Sequence, residues 1–173
     1  IKGGRLAVAC SPAPLLTLTI SDVPGDDLSV IASGPTVADP STFEDALKIL
    51  TKYEIYEPKS VLEHLKNAVD ETPKPGDSLL QNVENHLIAT PKQSLRAAAL
   101  AVCDAGMTPL ILGDSLEGES QDTGKMHSET ALQIQKNGSP VSPPAVILSG
   151  GETRVTVKGS GRGGPNTEFM LSL

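Results

Sequence analysis

The chain has 173 residues, 38% of them hydrophobic, which is enough for one sizeable core or for parts of two domains. A formal net charge of −7, with Lys and Arg scattered rather than gathered in a stripe, excludes a nucleic-acid-binding role on electrostatic grounds. Aromatic residues make up only 2% and Trp is absent, so there is no platform for stacking bases either.

Cys10 and Cys103 are far apart in sequence, a pattern of a reducing compartment rather than of a disulfide scaffold or a zinc site, so a cytoplasmic location is expected. No apolar run reaches membrane-spanning length and no signal-peptide pattern is visible. The sequence opens at Ile1-Lys2-Gly3-Gly4 without Met and closes inside a helical pattern at Phe169-Met170-Leu171-Ser172-Leu173. The expectation is an internal fragment of a longer protein.

In chain order, KGGRLA leads through a Pro-containing stretch to LLTLTI (Leu15 to Ile20), a β-rich and mostly apolar run that predicts a buried strand. SDVPGDD (Ser21 to Asp27) follows at once and puts Asp22 and Asp26 on the loop at that strand's carboxyl end. In open α/β sheets ligands bind at that edge, although Asp, Pro and Gly are also ordinary turn formers. VIASGPTV (Val30 to Val37) is a second small-residue loop. Asp39-Pro40-Ser41-Thr42 predicts a helix start with Ser41 or Thr42 as cap and Glu44 and Asp45 in the first turn. Pro58 opens another helix, on which Val61, Leu62 and Leu65 share a face and His64 lies beside it as a surface histidine.

The Pro-rich ETPKPGDS (Glu71 to Ser78) is the expected domain boundary, dividing the chain into residues 1–75 and 76–173. Beyond it the pattern reads strand (HLIAT), helix (Pro91 to Ala105), strand (TPLILGD), helix (Glu119 to Lys136) and strand (AVILSGG). That order predicts an α/β fold: a parallel, Rossmann-like sheet with flanking helices, spanning parts of two α/β domains.

The chemistry concentrates between Ser149 and Glu168, SGGETRVTVKGSGRGGPNTE. Gly150 and Gly151 let backbone N–H groups approach an anion, with Glu152 and Thr153 beside them. The alternating TRVTVKG predicts a strand leading to a second glycine-rich loop that carries Arg162, a candidate fixed cation, or else a solvated arginine on a flexible tip. GSGRGG satisfies G-x-G-x-x-G, but the half-polar strand before it and the lack of room for the acid expected about 20 residues later argue against a nicotinamide site. Asn166 is a candidate cap for a final helix. In LGDSLEGES, Asp114, Glu117 and Glu119 read as acids capping a helix start. His64, His86 and His127 form no metal-ligand spacing, and no Walker A lysine loop or nucleophile elbow is present.

Six ordered stretches, KGGRLA, SDVPGDDLSVIASGPTV, ETPKPGD, LGDSLEGE, SGGETRVTV and GSGRGGPNTEF, resemble the landmarks of the type II glycerate kinases. These are the glycerate 2-kinases with a MOFRL region, many of whose relatives carry the older label hydroxypyruvate reductase. The resemblance covers essentially the whole chain. It implies that residues 1–75 are the C-terminal part of the first kinase domain, and that 76–173 are a second α/β domain leading into a truncated MOFRL region. It also implies ATP-dependent phosphorylation of D-glycerate to 2-phosphoglycerate with Mg²⁺, in a cleft between two domains. Asp22 is then the candidate base for the glycerate hydroxyl, and Asp26 and Glu152 are candidate Mg²⁺ ligands, with Glu152 also catalytic. Arg162 would offset developing charge. Ser149, Gly150, Gly151, Thr153, Gly163, Gly164 and Asn166 would bind phosphate or substrate. The partners implied are D-glycerate and ATP, with a homodimer as the candidate assembly. The family usually has GGRN at the second loop, and here Pro165 replaces that arginine, removing a guanidinium and a backbone donor. The family also draws an active-site lysine from a segment preceding KGGRLA, so this stretch by itself is expected to be inactive. An NAD(P)H-dependent hydroxypyruvate reductase and a non-catalytic anion-binding relative are the alternative readings.

Overall fold

In order along the chain come α1 (Arg5–Cys10), β1 (Leu15–Ile20), α2 (Phe43–Lys52), α3 (Lys59–Asn67), β2 (Val83–Ala89), α4 (Pro91–Asp104), β3 (Thr108–Leu116), α5 (Ser120–Asn137), β4 (Ala145–Gly151) and α6 (Pro165–Ser172). The structure, a computed structural model, describes every residue from Ile1 to Leu173. Strands run parallel with helices flanking them, the α/β arrangement that the sequence predicts. The chain divides into two compact units, Ile1–Thr19 with Asp27–Ile88 and Ile20–Asp26 with Ala89–Leu173. No helix is long and apolar enough to cross a membrane.

In the first unit the KGG turn is fixed by backbone hydrogen bonds: Gly3 N–H donates to the Ser33 carbonyl at 2.9 Å and Gly4 N–H to the Gly34 carbonyl at 2.7 Å. Arg5 then pairs with Asp70 at 2.6 Å. Thr42 caps α2 in a reciprocal box, accepting from the Asp45 N–H while the Asp45 carboxylate accepts from the Thr42 N–H. This arrangement satisfies two otherwise orphaned donors, and it holds the Asp45 carboxyl below the usual carboxylate range, the Thr42 side-chain bond leading. α3 starts after Pro58, as Pro permits, and packs against α2. The Pro-rich stretch 71–78 lies within this unit.

β1 and β2 form a two-stranded sheet. Leu15 N–H donates to the Asn82 carbonyl and Ser21 N–H to the Ala89 carbonyl, each at 2.9 Å, so partner numbers rise together and the strands are parallel. The expectation of a buried β1 is corrected. Its exposure alternates, and Leu16 and Leu18 are 60% and 61% exposed because no element of this chain covers that face. The single run of three strands expected after residue 76 is also divided: β2 pairs with β1, whereas β3 and β4 form their own sheet.

In the second unit β3 and β4 are parallel, in register from Thr108 opposite Ala145 to Ile111 opposite Leu148. The register then slips, so that Gly113 faces Ser149 and Leu116 faces Gly151. β3 thus inserts extra residues as it approaches its carboxyl end, a device that bends a strand and re-aims its side chains. α4, capped by a Thr90–Gln93 box, packs on both strands. α5 buries Ser120, Gly124, His127 and Ile134, a stripe at helical spacing, and α6 packs along it. The strand expected over TRVTVKG is absent. Only an isolated bridge between Glu119 and Arg154 forms; no strand pairs with the segment, and Val157 is left 82% exposed. Asn166 is not the cap of α6 either. Gly164 takes that position, and Pro165, with its preset φ, occupies the first turn.

Candidate active site

A cavity of about 360 Å³ in the second unit opens where strands end. Ile20 and Ser21 close β1, Ala89 and Thr90 close β2, Asp114 lies near the end of β3, and Gly151 and Glu152 close β4. All of these residues line the cavity, together with Asp22, Pro24, Pro91 and Ser94. This is the carboxyl-edge location at which α/β sheets bind ligands. Its charge comes from three carboxylates, Asp22, Asp114 and Glu152, and its neutral polar groups include the hydroxyls of Ser21, Thr90 and Ser94.

The site's rigidity comes from its backbone. Gly151 adopts φ 136°, and a Cβ placed there would lie 2.1 Å from the Leu116 carbonyl oxygen, so only glycine lets β4 pass the end of β3. Ser21 is buried, and its hydroxyl makes a local bond with Val23 at 3.3 Å that shapes the SDVPG turn. Thr90 is buried at the start of α4, where its Oγ1 accepts from the Gln93 N–H at 3.2 Å and its carbonyl accepts from the Ser94 hydroxyl at 3.1 Å.

Of the residues singled out in the sequence, the cavity gathers Asp22, Gly151 and Glu152. Gly150 lies just beneath, 3.6 Å from the Asp114 backbone by its notional Cβ. Asp26, at the far end of the same turn with φ 58°, does not line it. The Ser149 hydroxyl is engaged by His127 Nε2 at 2.8 Å, and the Thr153 hydroxyl by Ser120 Oγ at 2.8 Å. Arg162, Gly163, Gly164 and Asn166 fall outside the cavity lining, in the irregular segment before α6 and in its first turn. Arg162 is exposed and forms no ion pair.

Asp114 is the residue that sequence reasoning set aside. It ends the expected strand TPLILGD but reads, with Glu117 and Glu119, as an acid of a helix start; β3 runs on to Leu116 and Asp114 lines the cavity. Glu119 occupies the cap position of α5 without capping it. Its carboxylate instead accepts from the Thr156 hydroxyl at 2.5 Å and from the Thr156 N–H at 3.2 Å. These bonds, with Lys158 and Arg154 nearby, hold its carboxyl below the usual glutamate range. His127 was equally invisible. Its signal is the spacing of seven from Ser120, which puts both on one face of α5.

The first unit holds a separate cavity of about 310 Å³, lined by Lys2, Ser29, Ser33, Asp39, Ser41 and Thr72 among others. Burial tends to raise the Asp39 carboxyl, but hydrogen bonds from Ser41 and Thr72 and the Lys74 charge outweigh it and lower it.

Residues 1–66 match the family described as a domain of unknown function, DUF4147, and residues 145–173 match the MOFRL family. Along nearly its whole length the chain is similar to proteins named as glycerate kinases. A glycerate 2-kinase of Pyrococcus horikoshii is 45% identical over 99% of this chain and 40% of that protein. A protein of Agrobacterium vitis named as a hydroxypyruvate reductase is 54% identical over 100% of this chain and 39% of its own length. The crystal structure of glycerate kinase from Thermotoga maritima superposes with a TM-score of 0.80 at 41% identity, covering 99% of this chain and 40% of that one. The chain therefore spans about two fifths of the length of these relatives.

Proposed function

We propose that the protein is an ATP-dependent glycerate 2-kinase, transferring the γ-phosphoryl group of ATP to D-glycerate to give 2-phosphoglycerate and ADP. One observation carries this reading beyond family likeness. Asp22 and Glu152, 130 positions apart in sequence, line one cavity at strand carboxyl ends, beside glycine backbone at Gly150 and Gly151. Phosphoryl transfer asks a protein mainly to position the reactants and to neutralise charge. In this reading Asp22 accepts the proton of the glycerate hydroxyl.

The donor set fits Mg²⁺ with ATP. The lining offers carboxylate and hydroxyl oxygens and neither thiol nor imidazole, which suits a hard cation. No three acidic, His or Cys side chains converge closely enough to hold a metal by themselves, and Mg²⁺ usually takes one or two carboxylates and draws its other ligands from phosphate and water. Glu152 and Asp114 would hold the ion, which when bound neutralises charge on the phosphates. Asp26, outside the lining, is the weaker candidate. Arg162 remains the proposed cation for the transferring phosphate, with its loop closing on bound nucleotide. Gly163, Gly164 and Asn166 belong to the same loop and helix start.

The hydroxypyruvate reductase name of some relatives is the second reading. The absence of a strand before GSGRGG argues against it, because a dinucleotide fingerprint needs a strand running into the turn. The test is ATP-dependent formation of phosphoglycerate by the complete protein and by its Asp22→Asn and Glu152→Gln variants. We expect each variant to retain its fold and to lose roughly a hundredfold or more in kcat. Full turnover in both, or NADH oxidation with hydroxypyruvate and no phosphoglycerate from the unaltered protein, refutes the proposal.

A further inference from the structure

We infer that His127 and Ser120 are positioning residues, two turns apart on α5, that clamp the two ends of the Ser149–Thr153 turn and so fix the Gly150–Glu152 backbone against the cavity. The inference rests on the glycerate kinase reading only for its kinetic consequences.

The two ends are held by different chemistry. At the near end His127, buried to 7% exposure, makes two hydrogen bonds of 2.8 Å, through Nδ1 to the Thr123 carbonyl and through Nε2 to the Ser149 hydroxyl. A carbonyl only accepts, so Nδ1 carries the hydrogen. In the neutral ring Nε2 is then an acceptor, and the Ser149 hydroxyl donates to it. The Ser149 hydroxyl is thereby engaged by the protein. At the far end Ser120 is fully buried. Its N–H donates to the Arg154 carbonyl at 2.9 Å, its hydroxyl meets Thr153 Oγ1 at 2.8 Å, and Arg154 N–H donates back to the Gly118 carbonyl at 2.8 Å. Between the two anchors, Gly151 is wedged against the Leu116 backbone. The turn is thus fixed at both ends by α5 and in the middle by β3.

The imidazole has a further contact. Phe169 of α6 meets it edge to face, with ring centroids 5.1 Å apart at 78°. One side chain therefore touches the SGGE turn and the helix that follows the second glycine loop.

Buried polar groups with every partner in place over-determine a local geometry. A side chain kept only to fill space would tolerate an isosteric replacement that breaks just one of its bonds. The test exploits the two imidazole nitrogens. In His127→Gln the new side chain presents a polar atom close to the Nε2 position and keeps the bond to Ser149. In His127→Asn it presents one close to Nδ1 and keeps only the bond to Thr123.

In the complete protein we expect His127→Asn and Ser149→Ala each to lower kcat/KM about tenfold, mostly in kcat, the loss of one buried hydrogen bond. His127→Gln should recover most of the activity. Combining His127→Asn with Ser149→Ala should be no worse than either single change, because both remove the same bond. Amide hydrogen exchange at Gly150, Gly151 and Glu152 should quicken in His127→Asn and stay near normal in His127→Gln. Equal behaviour of the His127→Gln and His127→Asn variants in both measurements overturns the inference. If the unaltered protein does not phosphorylate glycerate, the kinase reading falls and hydrogen exchange alone decides the clamp. Should His127→Asn fail to fold, Ser149→Ala and His127→Gln still decide it.

Discussion

Gly124 sits in the interior of α5, where an exposed glycine would cost about 1 kcal/mol relative to alanine. Propensity alone therefore predicts that Gly124→Ala stabilises. Packing predicts the opposite. A Cβ on residue 124 would lie 2.6 Å from the Phe169 carbonyl oxygen and 3.0 Å from the Ser172 Cβ. Ordinary contact begins near 3.4 Å, so α5 and α6 would have to part by about 0.8 Å along a face where helix backbone, and not a flexible side chain, is the obstacle. Overpacking of this kind costs about 1–3 kcal/mol, more than the propensity gain returns. The expected net result is a loss of up to about 2 kcal/mol, with the Phe169 ring drawn away from His127. Urea unfolding of Gly124→Ala should show a lower midpoint with an unchanged slope. Limited proteolysis should cut the α6 segment sooner. A midpoint equal to or above that of the unaltered protein would show that α6 does not depend on this contact, and would remove the close helix approach from the account of how the second glycine loop is held.

Gly151→Ala should be far more damaging than Gly163→Ala, although both glycines belong to candidate phosphate loops. The first would press a Cβ to 2.1 Å from the Leu116 carbonyl at a positive φ of 136°, whereas the second meets nothing nearer than Thr167 at 4.0 Å. Thermal unfolding should record a loss of roughly 3 kcal/mol or more for Gly151→Ala and a change within about 0.5 kcal/mol for Gly163→Ala, and similar losses would refute the wedge. Glu119 supplies a pH signature. Its carboxyl is lowered by hydrogen bonds from Thr156, so its contribution is complete above the ordinary glutamate pKa of about 4.5 and is lost as pH falls through the lower folded value. Glu119→Gln should therefore flatten the acid limb of the stability profile below about pH 4.5 while lowering stability near neutrality, and an unaltered acid limb would show that the Thr156 bonds contribute nothing in solution.

The elements that the sequence revealed most clearly are those whose signals are local. AVILSGG names β4 residue for residue, and Thr42 caps its helix as capping chemistry requires. Asp22 and Glu152 each follow an apolar run and so read as strand-end acids, but their meeting at one site is what the family resemblance implies, since their strands belong to different sheets. What failed was reasoning that needs to know a partner. TRVTVKG alternates as a strand should, but alternation is only a statement about faces, and no neighbour offers a ladder for it to join. LLTLTI reads as buried on both sides because its residues are apolar, while burial depends on what lies over them. Asp114 already ends the expected strand TPLILGD, but grouping it with Glu117 and Glu119 as a helix-start acid set it aside, and it lines the cavity.

The same distinction bears on Pro165 and Arg162. Proline in the first turn of α6 is locally favourable, since its missing N–H would have had no partner there and its φ is preset. Its position therefore needs no catalytic explanation and costs the fold nothing. On the proposed reading it costs the site a guanidinium that, at the helix start, would have been anchored on α6, which itself packs on α5. Arg162 is three residues earlier, in an irregular segment where glycines flank it on both sides and no acidic side chain pairs with it. A cation there must be ordered by the ligand rather than before it, and that ordering subtracts from binding. On the proposed reading, with the carboxylates on strand ends and the cation at Arg162 in an irregular exposed segment, the site should bind the anionic ligand weakly and respond steeply to ionic strength.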